Sequence, residues 1–229
     1  MWPFTKRSKG FQPLDDRCWL SMEDLSRGAA AEAVAALASG PVLAVVHFPC
    51  STDAAGISIA AAGAPVEVVR GTVNASAVIA ILRRLGGSSV ALVRSTQLSP
   101  TIKAEVDDES AYAAPRPPLT IIAWERHPLR QRDDEVTAFA AELNACFTCS
   151  LRFHAALDQP PLSMFAGDTT MALLRRMGMK EGDSIDHPML SKSLLRAQQK
   201  IAEKTATDPK PGALSAQDWF EAWKSSQSF

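Results

Sequence analysis

Short apolar runs alternate with longer stretches of helical period along most of this chain. The runs at residues 41–48, 66–69, 90–93, 120–124 and 150–157 have the length of buried strands. The run at 41–48 is almost continuously apolar, as a strand covered on both faces is. Between these runs lie Ala-rich or amphipathic segments. The first reaches Ala38, is capped by Ser21 or Ser26, and stops at Gly40-Pro41. Ser51 or Thr52 caps a second, to Ala62, and Asn74 a third, through Leu85 to Gly86-Gly87. Another spans 129–143. Strands separated by helices in this way predict an α/β fold: a mainly parallel sheet of about six strands with helices on both faces. Residues 17–20 add a short strand. Ligands of such sheets sit at the carboxyl ends of the strands, here residues 49–51, 70–73, 95–97 and 125–128.

After residue 157 the pattern becomes helical, with a turn at 161–165 and helices at 168–177 and 188–203, which predicts a helical C-terminal extension. In the longer helix Leu190, Leu194, Ala197 and Ile201 form one stripe, and Lys192, Arg196, Lys200 and Lys204 a second. Like charges four residues apart repel mildly, so this second stripe faces either solvent or a partner. Residues 205–212 carry Pro209 and Pro211 and read as a linker. A short helix starting near Ser215 follows, with Leu214, Trp219, Phe220 and Trp223 on one face. Its docking site is its own domain, a partner's groove or a membrane surface. The expected layout is an arm at 1–16, a domain at 17–160, a helical extension at 161–206, and a linker with a short helix at 207–229. In the arm, Trp2, Phe4 and Phe11 alternate with Lys6, Arg7 and Lys9, a mix suited to a frayed terminus, a membrane surface or an acidic partner. Residues 96–118 form an acidic, proline-ended connection.

Composition narrows the function classes. A formal net charge of −1 gives no global attraction to nucleic acid or membrane. The basic stripe has no stacking aromatics beside it, which argues against specific nucleic-acid binding. No apolar run approaches the roughly 18 residues of a spanning helix. The basic N-terminal residues lack a following apolar region, so no signal peptide is expected, and four cysteines without one suggest reduced thiols in a cytoplasm. His47-x-x-Cys50 and Cys146-x-x-Cys149 have metal-ligand spacing, and together they make a zinc site conceivable beside the alternative of ordinary buried cysteines. Hydrolase chemistry finds no Gly-x-Ser-x-Gly elbow. Glu125, Arg126 and His127 close a strand; they form either a binding site or a structural corner in which Arg126 pairs with Asp133 or Glu125.

The order of elements from about residue 40 to 204 resembles the SecA family of preprotein translocase ATPases. The similarity covers the second, RecA-like motor domain and the start of the helical scaffold. It is carried by the triplet Glu125-Arg126-His127, then Arg130 and Asp133, then Asp168, Leu174, Arg176, Gly178 and Met179. Glu181, Ile185, His187, Met189, Ser191, Lys192, Ala197, Gln198, Lys200 and Ile201 continue it. The chain departs from the family where ATP is handled. No G-x-x-x-x-G-K-[ST] run cradles phosphates. Where the family carries a G-R-G-T-D loop, this chain has Arg94-Ser95-Thr96-Gln97-Leu98. The family's Q-x-x-G-R-x-G-R finger pattern falls on Glu135, with Phe139 and Glu142 at the arginine positions. An arginine finger is worth about 10³–10⁵ in rate, and neither a phenyl ring nor a carboxylate replaces it. The resemblance therefore implies a catalytically silent, cytoplasmic relative without cofactor, acting by protein–protein binding, with preprotein transport as the setting. SecA itself, the translocon, a ribosome or an exported protein are the implied partners, met through Lys192, Arg196, Lys200, Lys204, Trp219 and Trp223, with peripheral membrane contact open. The alternative is half of a nucleotide motor that hydrolyses ATP only with a partner chain, using Glu125, Arg126, His127, Arg130 and Asp133.

Overall fold

The strand Val42–Val46 (β2) is buried at every position, and its side chains divide by parity. Val42, Ala44 and Val46 enter one core, Leu43 and Val45 the other, as a pleated strand covered on both faces requires. A computed structural model describes residues 11–99, 116–164, 167–205 and 207–227. Before β2 come Arg17–Trp19 (β1) and Met22–Ala36 (α1). After it come Pro49–Ala61 (α2), Val66–Val68 (β3), Ala75–Leu85 (α3), Val90–Arg94 (β4), Pro118–Ala123 (β5), Arg130–Leu143 (α4) and Thr148–Ala156 (β6). Gly167–Arg176 (α5), Ser184–Asp186 (β7), Pro188–Ala202 (α6) and Ala216–Ser226 (α7) complete the order.

Among the described residues the strands form one seven-stranded sheet in the order β3-β4-β2-β5-β6-β1-β7. All pairings are parallel except that of β1 with β7. Helices α1 and α2 pack together over one face and α3 and α4 over the other. This is the α/β architecture that the alternation of runs predicts. The caps follow local chemistry: Ser21 accepts from Asp24 N, and Asn74 from Ala77 N, while Gly86 ends α3 at φ 56°. Helix α2 starts earlier than its serine and threonine suggest, because Pro49 at the first helical position has its φ already set and no N–H to satisfy.

Two features add to the expected layout. The C-terminal extension also joins the main sheet. Its Ser184–Asp186 segment is an edge strand of the main sheet, tied by Arg17 to Asp186 at 2.8 Å. The arm at 1–16 is ordered in its last part. Leu14 N donates to Leu151 O at 2.8 Å, Phe11 packs on the core of α3 and α4, and Asp16 is fully buried. Trp2, Phe4, Lys6, Arg7 and Lys9 lie outside the described residues, as does most of the 96–118 connection.

Candidate functional site at the strand carboxyl ends

After β2 the chain leaves toward the α2 face, and after β5 toward the α4 face. The two loops part, and a crevice opens between them, where open α/β sheets place their ligands. His47, Phe48 and Ser51 line one side of it. Glu125, Arg126 and His127 line the other, and Ser95 joins from the end of β4.

These groups form one buried polar network. His47 N donates to Glu125 Oε1 at 3.2 Å, and His47 Nδ1 lies 2.9 Å from Ser95 Oγ. Asp133, in the first turn of α4, is its hub. His127 N donates to Oδ1 at 3.1 Å, Arg126 Nη1 to Oδ2 at 3.1 Å, and Gln198 Nε2 to Oδ2 at 2.5 Å. His47 Nε2 approaches Oδ1 at 2.9 Å but is not aligned as a hydrogen bond. Arg126 also reaches Asp16 at 2.5 Å and lies 3.8 Å over the Phe153 ring. Burial alone raises the Asp133 carboxyl, but Arg126, His47 and the His127 N–H outweigh it and bring its pKa to about 2. Burial dominates at Glu125 and Asp16, whose pKa values are raised. It also pushes His127 well below the usual histidine range, so that ring is neutral near pH 7.

The structure thus gathers Glu125, Arg126, His127 and Asp133 and leaves Arg130 apart, 37% exposed and 3.6 Å from Asp134. Arg126 pairs with Asp133, and His127 Nδ1 accepts from Leu129 N at 2.9 Å, which is the structural-corner arrangement. Phe139 and its neighbours Val136, Ala140 and Leu143 are buried in the core, and Phe139 sits where a finger arginine is expected. The Arg94–Leu98 turn is tied to the segment after β3: the Gln97 amide donates to Val69 O and Gly71 O, and its oxygen accepts from Arg94 N.

Three further placements differ from the sequence expectations or extend them. The zinc grouping fails on sheet direction. His47 and Cys50 follow β2 at the carboxyl edge, whereas Cys146 and Cys149 stand at the start of β6, at the opposite edge of a parallel sheet. Among the described residues no cluster could hold a metal ion. Trp219 and Trp223 are buried against Phe48 and Ile201 in the chain's own body, so they are not a free partner surface. Lys192, Arg196 and Lys200 are exposed along α6, and Lys204 just beyond its end. Sequence reasoning missed Asp16 and underrated Gln198. A glutamine on the same face as Leu194, Ala197 and Ile201 was the available signal, since a polar group on an apolar stripe needs a buried partner.

Ser95, His47 and Asp133 have the composition of a hydrolytic triad. The chamber beside His47 and Ser95 is about 20 Å³, room for one water, and Asp133 is already held by Arg126, Gln198 and the His127 N–H. A larger cavity of about 190 Å³ lies between Met22, Leu25, Ser51, Glu125, Arg126 and Leu162.

Comparison with known proteins finds partial relatives of the chain. The chain is 33% identical over 100 residues to the protein translocase subunit SecA of Rickettsia felis, and 33% over 102 residues to that of Rickettsia prowazekii. Less than half of the chain is thus similar to a small part of SecA. The match covers 44% of this chain and 11% of each SecA relative. No family model matches. Among the described residues no helix is long and apolar enough to cross a membrane.

Proposed function

We propose that this SecA-related chain works by binding protein partners of preprotein transport in the cytoplasm and does not itself turn over ATP. The observation that carries the reading is the state of the strand-end corner. Arg126 is consumed by Asp16 and Asp133, and the finger positions hold a core phenylalanine and a glutamate. A nucleotide placed at this edge finds the Arg126 guanidinium already paired and so unavailable to stabilise a transferring phosphoryl group. The binding surface in this reading is the exposed basic face of α6, whose charges at four-residue spacing suit an acidic partner. SecA, the translocon, a ribosome and an exported protein are the candidates.

The test is affinity capture with the full chain and with K192E/R196E/K204E, alongside ATP turnover of the chain and of each recovered complex. Recovery of SecA or translocon subunits, lost in the charge-reversed variant and without turnover, is expected. Turnover that appears on complex formation sinks the silent reading, and recovery of no translocation component sinks the setting.

A further inference from the structure

The larger cavity, of about 190 Å³, lies at the carboxyl ends of β5 and β6, beside the first turn of α2. Its walls are mostly apolar, with Leu25 from α1, Ala54 from α2, Ala156 from β6 and Leu162 beyond it. An apolar cavity of about 150 Å³ takes up benzene. This one therefore has room for a single ring with a short chain, and is too small for a nucleotide or a peptide helix. One wall carries a group that such surroundings do not suit. Glu125 lines the cavity and is only 8% exposed. Among the described residues four carboxyl groups are buried. Asp16 and Asp133 pair with Arg126, and Asp24 pairs with Arg27, but among the described residues no lysine or arginine pairs with Glu125. Its contacts are neutral donors: His47 N donates at 3.2 Å, with the Ser51 hydroxyl and the Phe48 N–H beside it. They fix where the carboxyl points without supplying a positive charge, and burial still raises its pKa. Ionised, a carboxyl in this position is costly until a cation joins it. Arg126 also borders the cavity but is already held by Asp16 and Asp133, so an anion finds no counter-charge in it.

We propose that this cavity is a binding site for a small amine with an apolar, ring-sized body: the ammonium pairs with the Glu125 carboxylate, and the body fills the space between α1, α2 and β6. Size and apolar walls select the body, and the carboxyl without a basic partner selects the charge. The site goes beyond the protein-binding reading and does not depend on it. Cys50, an exposed thiol in the first turn of α2, stands on the same cavity and offers a reporter of its occupancy.

The probes are 2-phenylethylamine and its neutral analogue 2-phenylethanol, each titrated into the full chain by calorimetry near pH 7. The unaltered protein is expected to bind the amine at least about tenfold more tightly than the alcohol, as a charge-assisted contact requires. In Glu125→Gln, whose fold is checked by circular dichroism, that preference should fall to about threefold or less. Two further arms do not rely on this variant. Ala54→Leu fills part of the cavity from α2 and should lose both probes. In the unaltered protein, monobromobimane labelling of Cys50, followed by peptide mass, should slow as the amine is added, with its half-effect at the calorimetric dissociation constant. Cys18 is buried, and Cys146 and Cys149 stand at the opposite edge of the sheet, so their labelling should not respond. Equal affinity for amine and alcohol, or no binding of the amine to the unaltered protein, overturns the proposal. So does a tenfold preference that persists in Glu125→Gln, amine binding that survives Ala54→Leu unchanged, or a Cys50 labelling rate indifferent to the amine.

Discussion

Replacing Asp133 with asparagine tests whether the strand-end corner is held together by charge. The side chain is 1% exposed and meets Arg126, Gln198 and the His127 N–H within hydrogen-bond distance. Its pKa of about 2 lies below the ordinary 3.8, a gap that corresponds to about 2 kcal/mol of stability. The sign follows from a lowered carboxylate: the contribution is complete above the unfolded pKa near 4 and is lost as pH falls toward 2. Asparagine keeps the shape but removes the charge, and its amide turns one acceptor into a donor facing other donors. Breaking a buried ion pair from one side costs about 3–5 kcal/mol. Asp16, at 2.5 Å from the same guanidinium, retains part of the compensation, so about 3 kcal/mol is expected. Urea unfolding at neutral pH measures it, with tryptophan fluorescence as the probe. The gap between wild type and D133N should narrow between about pH 5 and about pH 2.5. A loss below about 1 kcal/mol at neutral pH, or a gap that does not change with acid, would refute an electrostatic hub.

Gly28→Ala should lower the melting temperature although alanine favours helix by about 1 kcal/mol. An added Cβ runs into the Trp19 indole, which His154 holds through a 3.0 Å bond, and overpacking of this kind costs about 1–3 kcal/mol; an unchanged or higher melting point would show that Trp19 has room to move. Glu125→Gln addresses a group that burial raises above 4.5, so its ionisation weakens the fold as pH rises through the folded value. The variant should match or exceed wild-type stability near pH 7 and lose that advantage near pH 4; a large destabilisation at neutral pH would mean that the carboxylate charge is needed.

The alternation of runs was enough to read the sheet because each central strand is apolar on both faces and no other element of that length is. The edge strand at Ser184–Asp186 was not legible. Three residues, two of them polar, carry no period, and the strand exists because Arg17 and Arg152 meet Asp186 across the fold. Asp16 hid for the same reason: a carboxylate in a polar N-terminal stretch looks solvated until Arg126, distant in sequence, is placed beside it. The triplet Glu125-Arg126-His127 was visible as a group, but its role depends on Asp133 and Gln198 arriving from two different helices. The α7 face could be read as amphipathic from Trp219, Phe220 and Trp223. Which surface it covers depends on Phe48 and Leu129, which no local pattern connects to it.

The place of β1 between β6 and β7 dictates an order of assembly. Arg17 pairs with His154 on one side and Asp186 on the other, so β1 leaves a ribosome well before either of its neighbours. At about 5–20 residues per second, Trp19 waits roughly seven to twenty-seven seconds for the segment that supplies His154. During that interval α1 and β2 can pack, but the sheet grows from its middle outward and the indole stays without its partner ring. Substitutions that slow the late strands would therefore act first on yield and solubility during synthesis, before any change in the finished protein's melting point.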